Sequence, residues 1–433
     1  MAYAATYRFN LYSNFTLYLR DPDNGDEIAQ VDRRAFYGGK VSYRVIHHLG
    51  PVTLDSTIGG DGRSDDIHGE LWETLQRRPL RPVRSHNVEQ TLVGAYVNEE
   101  IRPARWIRAA VGGRVDLLSF VVDNQLANSD PTVSPTGTGT GSGAAHQISP
   151  KANLTVTPLD RPSAHLDLFV NYGHGFHSND VRGAFAQPAV TPLTRAIGKE
   201  VGARTRILGR WDLAAALWQL DLDNETVWSG DEGTTAVSAA THRQGIELDT
   251  RFEVAPWLAA DLEVTFTQSK FRDTSRNSPL NGGGLALAPR QTWAGGLSGR
   301  HPIGSGLARG GLRFYGIGDR PATDDGALIA PGFTQVDLHL GLRYRRFDVA
   351  LDIENLFNGR FRAAQFATIS RLHGEPSMGA PVPAGFGCGK NARLANAPDG
   401  TPANGTFQGC EDISFTPAYP LTVRLMATLY LDW

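Results

Sequence analysis

The chain has 433 residues, a formal net charge of −3 at pH 7 and a hydrophobic fraction of 41%. The near balance of 42 basic and 45 acidic residues disfavours a nucleic-acid partner, and the 9% of aromatic residues disfavours intrinsic disorder. No run of 18 apolar residues is present and the mean hydropathy is −0.28, which excludes a helical membrane protein. A large soluble protein and a transmembrane β-barrel remain, because only alternate residues of a barrel strand face lipid.

Apolar and polar residues alternate along the whole chain, and no comparable stretch has helical periodicity. The segment 336–344, VDLHLGLRY, places an apolar residue at every second position from Val336 to Tyr344. We therefore predict an all-β chain of about sixteen strands. In chain order they cover residues 5–19, 33–48, 51–60, 87–99, 105–119, 149–158, 164–176, 197–207, 210–223, 241–254, 258–270, 287–299, 306–317, 333–344, 347–357 and 420–433.

The connections between these strands alternate between two kinds. Short connections lie at 49–52, 102–105, 159–164, 208–210, 255–256 and 345–346. Long connections lie at 61–85, 122–148, 179–195, 268–286, 318–331 and 360–418. This asymmetry is typical of the periplasmic turns and extracellular loops of outer-membrane barrels.

Tryptophan placement agrees with a membrane barrel. Trp106, Trp211 and Trp257 each follow a short connection, and Trp433 ends the chain. An amphipathic ring is favoured at a membrane interface, so these residues are expected to form an aromatic girdle at one rim. The sequence thus predicts a transmembrane antiparallel β-barrel.

Six segments resemble, in family order, the TonB-dependent outer-membrane receptors. They are NYGHGFHSND (171–180), RAIGKEVGARTRI (195–207), RQGIELDTRFE (243–253), APRQTWAGGL (288–297), DIENLFNGRF (352–361) and PLTVRLMATLYLDW (420–433). The resemblance implies a receptor-like barrel over residues 1–433 in the outer membrane of a Gram-negative bacterium, with 360–418 as a long extracellular loop. It also implies uptake of a scarce ligand, most often a ferric siderophore.

The sequence departs from the family pattern in one respect. Family barrels have twenty-two strands, an N-terminal plug domain and a TonB box, and no segment here matches the plug or the box. We therefore expect a partial form of the barrel, with TonB as a partner only if missing N-terminal sequence supplies a plug. The alternative is a passive porin-like channel of about sixteen strands.

The other expected partners also follow from the resemblance. They are outer-membrane lipid, lipopolysaccharide and the barrel-assembly machinery, which reads the aromatic end of the last strand, here Trp433. No cofactor and no nucleic-acid partner are expected.

Two groups of residues are candidates for ligand binding. His174, His177 and Asp180 lie where a strand meets a loop, and imidazole and carboxylate groups suit a transition metal or an iron chelate. A structural role is the alternative, and no metal site is assigned. Arg77 and Arg78 lie in the predicted loop 61–85, where they would attract an anionic ligand or lipopolysaccharide phosphates, or form an ordinary solvated loop.

An enzymatic reading is disfavoured. Ser163, His165 and Asp167 share a strand face, but neighbours on one face stand about 6.5–7 Å apart, too far for a nucleophile–base hydrogen bond. Inward charges are expected to pair across strands instead. Cys388 and Cys410 bracket a Gly/Pro/Asn-rich segment and are expected to form a disulfide, with two free thiols as the alternative.

Overall fold

The computed structural model describes residues 1–126, 140–185, 189–224, 226–229, 234–237, 239–272, 284–396 and 405–431. The strands are, in chain order, β1 Ala2–Ser13, β2 Ile28–Leu49, β3 Val52–Leu75, β4 Arg78–Ala104, β5 Ile107–Asn124, β6 Gly141–Arg161, β7 Ala164–Ser178, β8 Leu193–Ile207, β9 Trp211–Leu222, β10 Thr226–Ser229, β11 Thr234–Val237, β12 Thr241–Ala255, β13 Leu258–Phe271, β14 Gln291–Ile303, β15 Gly306–Ile317, β16 Arg320–Pro321, β17 Ile329–Ala330, β18 Phe333–Tyr344, β19 Phe347–Glu354, β20 Arg362–Ser370, β21 Arg393–Leu394, β22 Cys410–Pro417 and β23 Thr422–Leu429.

Sixteen of these strands form one antiparallel sheet, in the order β1 to β9, β12 to β15, β18, β19 and β23. The predictions of an all-β chain and of about sixteen strands are confirmed. A single 3-10 helix, Val181–Phe185, is the helical element of the described residues. Within those same residues, no helix is long and apolar enough to cross a membrane.

The two ends of the sheet differ. At one end, here named the turn end, consecutive strands are joined by tight turns, and the pairs Leu49–Val52 and Tyr344–Phe347 close two of them. At the other end, the loop end, most connections are longer and carry structure of their own. The pair β16–β17, the three-stranded sheet β20–β22–β21 and the 3-10 helix all lie there. The predicted alternation of short and long connections is therefore present.

The predicted loop at 61–85 is wrong. Strands β3 and β4 stay paired from Thr53–Arg102 to Leu75–Arg78, so these residues form one long hairpin. Gln76 and Arg77 make its two-residue turn, with φ of 52° and 63°. The segment DGRSDDIHGELWETL lacks the apolar alternation that identified the other strands, because it extends beyond the apolar part of the sheet.

The loops beside the first and last strands are joined by the Arg371 clasp, defined here as Thr16–Tyr18 with Arg371. The Tyr18 amide donates to the Arg371 carbonyl at 3.0 Å, and the Arg371 amide donates to the Thr16 carbonyl at 3.1 Å. Nearby, the rings of Phe15 and Phe366 meet edge to face at 5.2 Å. The clasp therefore bridges the two edges of the sheet at the loop end, although no ladder between β1 and β23 is found among the described residues.

Cys388 and Cys410 are bonded to each other, with their Cα atoms 5.5 Å apart. The bond ties the coil after β20 to the first residue of β22, inside the segment 360–418. The structure thus places the disulfide within the small sheet at the loop end.

Reducing this disulfide is expected to loosen the segment 360–418 while leaving the sixteen-stranded sheet intact. Releasing a loop with a sequence separation of 22 costs roughly 3 kcal/mol in the chain-entropy model. Limited proteolysis with and without reductant measures the effect, and cleavage should increase within 371–409. A Cys388→Ser variant should match the reduced protein, and equal cleavage in all three samples would contradict the expectation.

Candidate functional site

One face of the sheet carries an exposed apolar belt between two aromatic rows. Trp106, Trp211 and Trp257 are exposed at the turn end, as predicted, whereas Trp433 lies outside the described residues. Phe347 at the turn end and Phe357 toward the loop end are ten positions apart. At about 3.3 Å per residue on a strand tilted by roughly 40°, that separation spans about 25 Å, which is the height of a barrel's apolar band.

The opposite, polar face carries paired charges, as expected for inward residues. Arg114 contacts Asp61 and Asp116, both at 2.6 Å. Arg309 contacts Asp348 at 2.7 Å and Arg313 contacts Asp261 at 2.6 Å, while His339 pairs with Asp352. Most of these pairs link strands of the sheet, so this face is polar and largely charge-compensated.

Glycines make room for two of the arginine bridges. A Cβ atom on Gly94 would lie 2.0 Å from the Arg114 Nη2 atom, and one on Gly341 would lie 2.6 Å from the Arg309 Nε atom. Each guanidinium passes over a glycine of the intervening strand to reach an aspartate two strands away. The glycine positions therefore permit ion pairs between next-nearest strands.

A cavity of about 410 Å³ lies against the polar face at the loop end, and we name it the loop-end cavity. Strands β1 to β4 form its wall, and the segment Ser178–Arg182 covers it. The wall includes the apolar side chains of Phe9, Ile67 and Val88 together with several charged groups.

The covering segment is held in place by Asn179 and Val181. The buried Asn179 amide donates to the Thr191 carbonyl at 2.7 Å and to the Thr194 hydroxyl at 2.9 Å. Val181 packs into a buried apolar cluster with Val88, Leu118, Phe120, Val122 and Leu193. The end of the GFHSND motif therefore anchors the cover of the cavity.

Asp180 is an ionised carboxylate in the cavity cover. Burial acts to raise the pKa of Asp180, but the Arg182 guanidinium, 2.9 and 3.0 Å from the two carboxylate oxygens, outweighs it and holds that pKa below its usual range. The pair carries no net charge at neutral pH.

His86 is the unusual group of the cavity. The residue is 1% exposed, and neither ring nitrogen has a hydrogen-bond partner within the described part of the chain. Burial, followed by the nearby Arg182 and Arg84, lowers the pKa of His86 to about 4. His86 pairs with Asn124 at the end of β5, beyond the outward apolar side chain of Val121, so it lies outside the apolar belt. Its imidazole is neutral at pH 7.

The pH dependence of stability is expected to reveal His86. An imidazole with a folded pKa near 4 and an unfolded pKa near 6.5 stays neutral in the folded protein while the unfolded chain takes up a proton. Its contribution is therefore lost as pH falls from about 7 to 4, by about 3 kcal/mol.

Urea unfolding of wild type and of His86→Leu across that pH range measures the effect. The stability of the variant relative to wild type should rise as pH falls. Parallel curves for the two proteins would contradict the assignment.

The comparisons with known proteins decide the family. A family model described as TonB dependent receptor-like, beta-barrel matches residues 2–356. The chain belongs to this family. Barrels of TonB-dependent receptors reside in the Gram-negative outer membrane and act as transport receptors. The resemblance of the six motifs is thereby confirmed.

Solved structures of TonB-dependent receptors share the fold. The unliganded ferric citrate transporter FecA has 13% identity and a TM-score of 0.67, covering 99% of this chain and 58% of its own. The ferric yersiniabactin uptake receptor FyuA from Yersinia pestis has 12% identity and a TM-score of 0.64, with the same coverage. The ferric-catecholate import receptor Fiu from E. coli K12 has 16% identity and a TM-score of 0.61, covering 99% of this chain and 60% of its own.

This chain thus spans less than two thirds of those receptors. At such identities the likeness shows the fold alone. Comparison with curated protein sequences finds no match.

The receptor fold separates the predicted ligand residues. His174 Nε2 lies 2.7 Å from the hydroxyl of Tyr172, which continues the exposed row of Leu168 and Val170. His177 is exposed at the end of β7, whereas Asp180 lies in the cavity cover. Across the described ranges, no group of three or more His, Cys, Asp or Glu side chains is placed to hold a metal ion.

The two predicted arginines lie at the tip of the β3–β4 hairpin. The Arg77 amide donates to Glu27 Oε1 at 2.6 Å, and its guanidinium lies 5.6 Å from the Tyr12 ring centroid. Arg78 is exposed at the start of β4. Neither side chain lines the loop-end cavity.

His86, Arg34 and Arg182 are the cavity residues that sequence reasoning missed. Alternation from Arg84 to Gln90 would have put His86 and Val88 on one face, but nothing local marks the imidazole as unpartnered.

The trio Ser163, His165 and Asp167 does not form a nucleophile–base pair. His165 Nδ1 lies 3.1 Å from Asp160 and its Nε2 lies 3.2 Å from Asp167. Both ring nitrogens face carboxylates, so neither is directed at Ser163.

Proposed function

We propose that the chain is the barrel of an outer-membrane receptor that takes up a scarce ligand, a ferric siderophore. The observation that carries this proposal is the loop-end cavity, which lies on the charge-lined polar face of a sheet whose other face is an apolar belt. A soluble β-protein would not expose such a belt to water, whereas a receptor barrel must.

The orientation follows from the two ends of the sheet. The tight turns face the periplasm, and the loop end, including the extracellular loop 360–418, faces outward. His177, Asp180, Arg77 and Arg78 all lie at the loop end, where an arriving ligand or lipopolysaccharide meets the protein. The terminal segment 420–433 serves the barrel-assembly machinery, and TonB acts where a plug domain is supplied.

Iron-dependent growth tests the proposal. A Gram-negative host that lacks its own ferric-chelate receptors is supplied with the protein and grown on chelated radioactive iron. Accumulation of iron that needs both the protein and a functional TonB supports the proposal, and no gain over the empty vector overturns it. Steady conductance in liposomes together with TonB-independent solute uptake would favour the porin-like channel instead.

A further inference from the structure

The charges around the loop-end cavity are already compensated. On β2, the Arg34 Nε donates to Asp32 Oδ1 at 3.0 Å. On the cover, Arg182 binds Asp180 in the same i, i+2 arrangement. Burying an ion without a new counter-charge costs several kcal/mol, so the cavity disfavours a multiply charged ligand.

His86 leaves hydrogen-bonding capacity open in the same cavity. A neutral imidazole offers one N–H donor and one acceptor nitrogen, and here both are buried and unmatched within the described residues. An unmatched buried polar group costs about 1–3 kcal/mol, which a ligand recovers if it supplies both partners.

We infer that the loop-end cavity binds part of a net-neutral ferric chelate through His86, and that the protein therefore favours a ferric tris-hydroxamate over anionic chelates. Three singly charged hydroxamates cancel the charge of Fe³⁺, whereas three catecholate dianions leave a trianion, and citrate complexes are also anionic. The volume of about 410 Å³ lies low in the range that holds small ligands, so one arm of the chelate enters. The inference rests on the proposed function.

The groups that face His86 set the pH behaviour of binding. They are Arg84 on its own strand, Asp123 from β5, and Asp180 and Arg182 from the cover. Protonation would add a second positive charge beside Arg182 and remove the acceptor nitrogen. Binding is therefore constant from pH 8 to about 5 and falls below that, in wild type alone.

Chelate binding to the full chain in detergent micelles tests the inference. The probes are a ferric tris-hydroxamate, a ferric tris-catecholate and ferric citrate, each titrated against wild type, His86→Gln, His86→Leu and the exposed control His47→Gln. We expect the tris-hydroxamate to bind at least about tenfold more tightly than the other two, and His86→Leu to weaken it about tenfold. His86→Gln keeps a donor and an acceptor, so it binds within about threefold of wild type and loses the acid dependence.

The outcomes separate the two proposals. Equal or tighter binding of the anionic chelates, or no effect of His86→Leu, overturns the inference and leaves the receptor function standing. Failure of wild type to bind any of the three chelates counts against the proposed function itself. His86→Leu removes an unmatched polar group, so lost binding cannot be ascribed to misfolding if its thermal transition is unchanged or raised.

Discussion

Replacing Arg371 by alanine is expected to open the loop end of the sheet at a cost of about 3–5 kcal/mol. The Arg371 side chain is 6% exposed and donates to the carbonyls of Tyr18, Glu375 and Pro376 at 2.7–3.0 Å. Truncation would leave those buried carbonyls without their charged donor. The loop after β1 would then detach from the loop after β20, and the two edges of the sheet would no longer be bridged.

Urea unfolding and limited proteolysis in micelles measure this loss. Arg360→Ala is the matched control, because Arg360 is an exposed arginine of the same loop. The control should unfold like wild type, while Arg371→Ala should unfold at lower urea and be cut earlier between residues 14 and 27. Coincident transitions for the two variants would refute the role of the clasp.

Gly94→Ala is expected to break the ion-pair bridge between Asp61, Arg114 and Asp116. The added Cβ would lie 2.0 Å from the Arg114 Nη2 atom and 2.5 Å from the Asp116 Oδ1 atom. The guanidinium must leave, and Asp116, which is 0% exposed, would keep a buried charge without its partner. Breaking a buried pair in this way costs about 3–5 kcal/mol.

Gly113→Ala on the neighbouring strand is the control, because a Cβ there meets nothing within 4 Å. A second background sharpens the test. In Arg114→Met the bridge is already absent, so Gly94→Ala should cost much less than in wild type. Equal costs of Gly94→Ala in the two backgrounds would show that the glycine serves the backbone rather than the bridge.

Sequence reasoning predicted most of the sheet because its signals are local. Period-two alternation and tight-turn residues mark each membrane-spanning strand without reference to its neighbours, as at 336–344 and 345–346. The strands and turns of that kind were therefore predictable. The β3–β4 extension was not, since its residues 61–75 lie beyond the apolar belt and lose the alternation that identifies a strand.

The candidate site depends on contacts that no local pattern encodes. Arg371 binds a carbonyl 353 positions away in sequence, and His86 meets Asp180 only because the segment after β7 folds onto the wall formed by β1 to β4. Asp180 was predicted from its motif, but its partner Arg182 and the unmatched imidazole of His86 required the three-dimensional arrangement.

The iron position in a crystal of the protein soaked with a ferric tris-hydroxamate tests the central claim most directly. Anomalous scattering locates iron independently of the fitted ligand. We predict a peak at the mouth of the loop-end cavity, on the polar face between the wall at His86 and the cover at Arg182. A peak confined to the apolar face or to the turn end, or a bound chelate that leaves the cavity empty, would contradict the account.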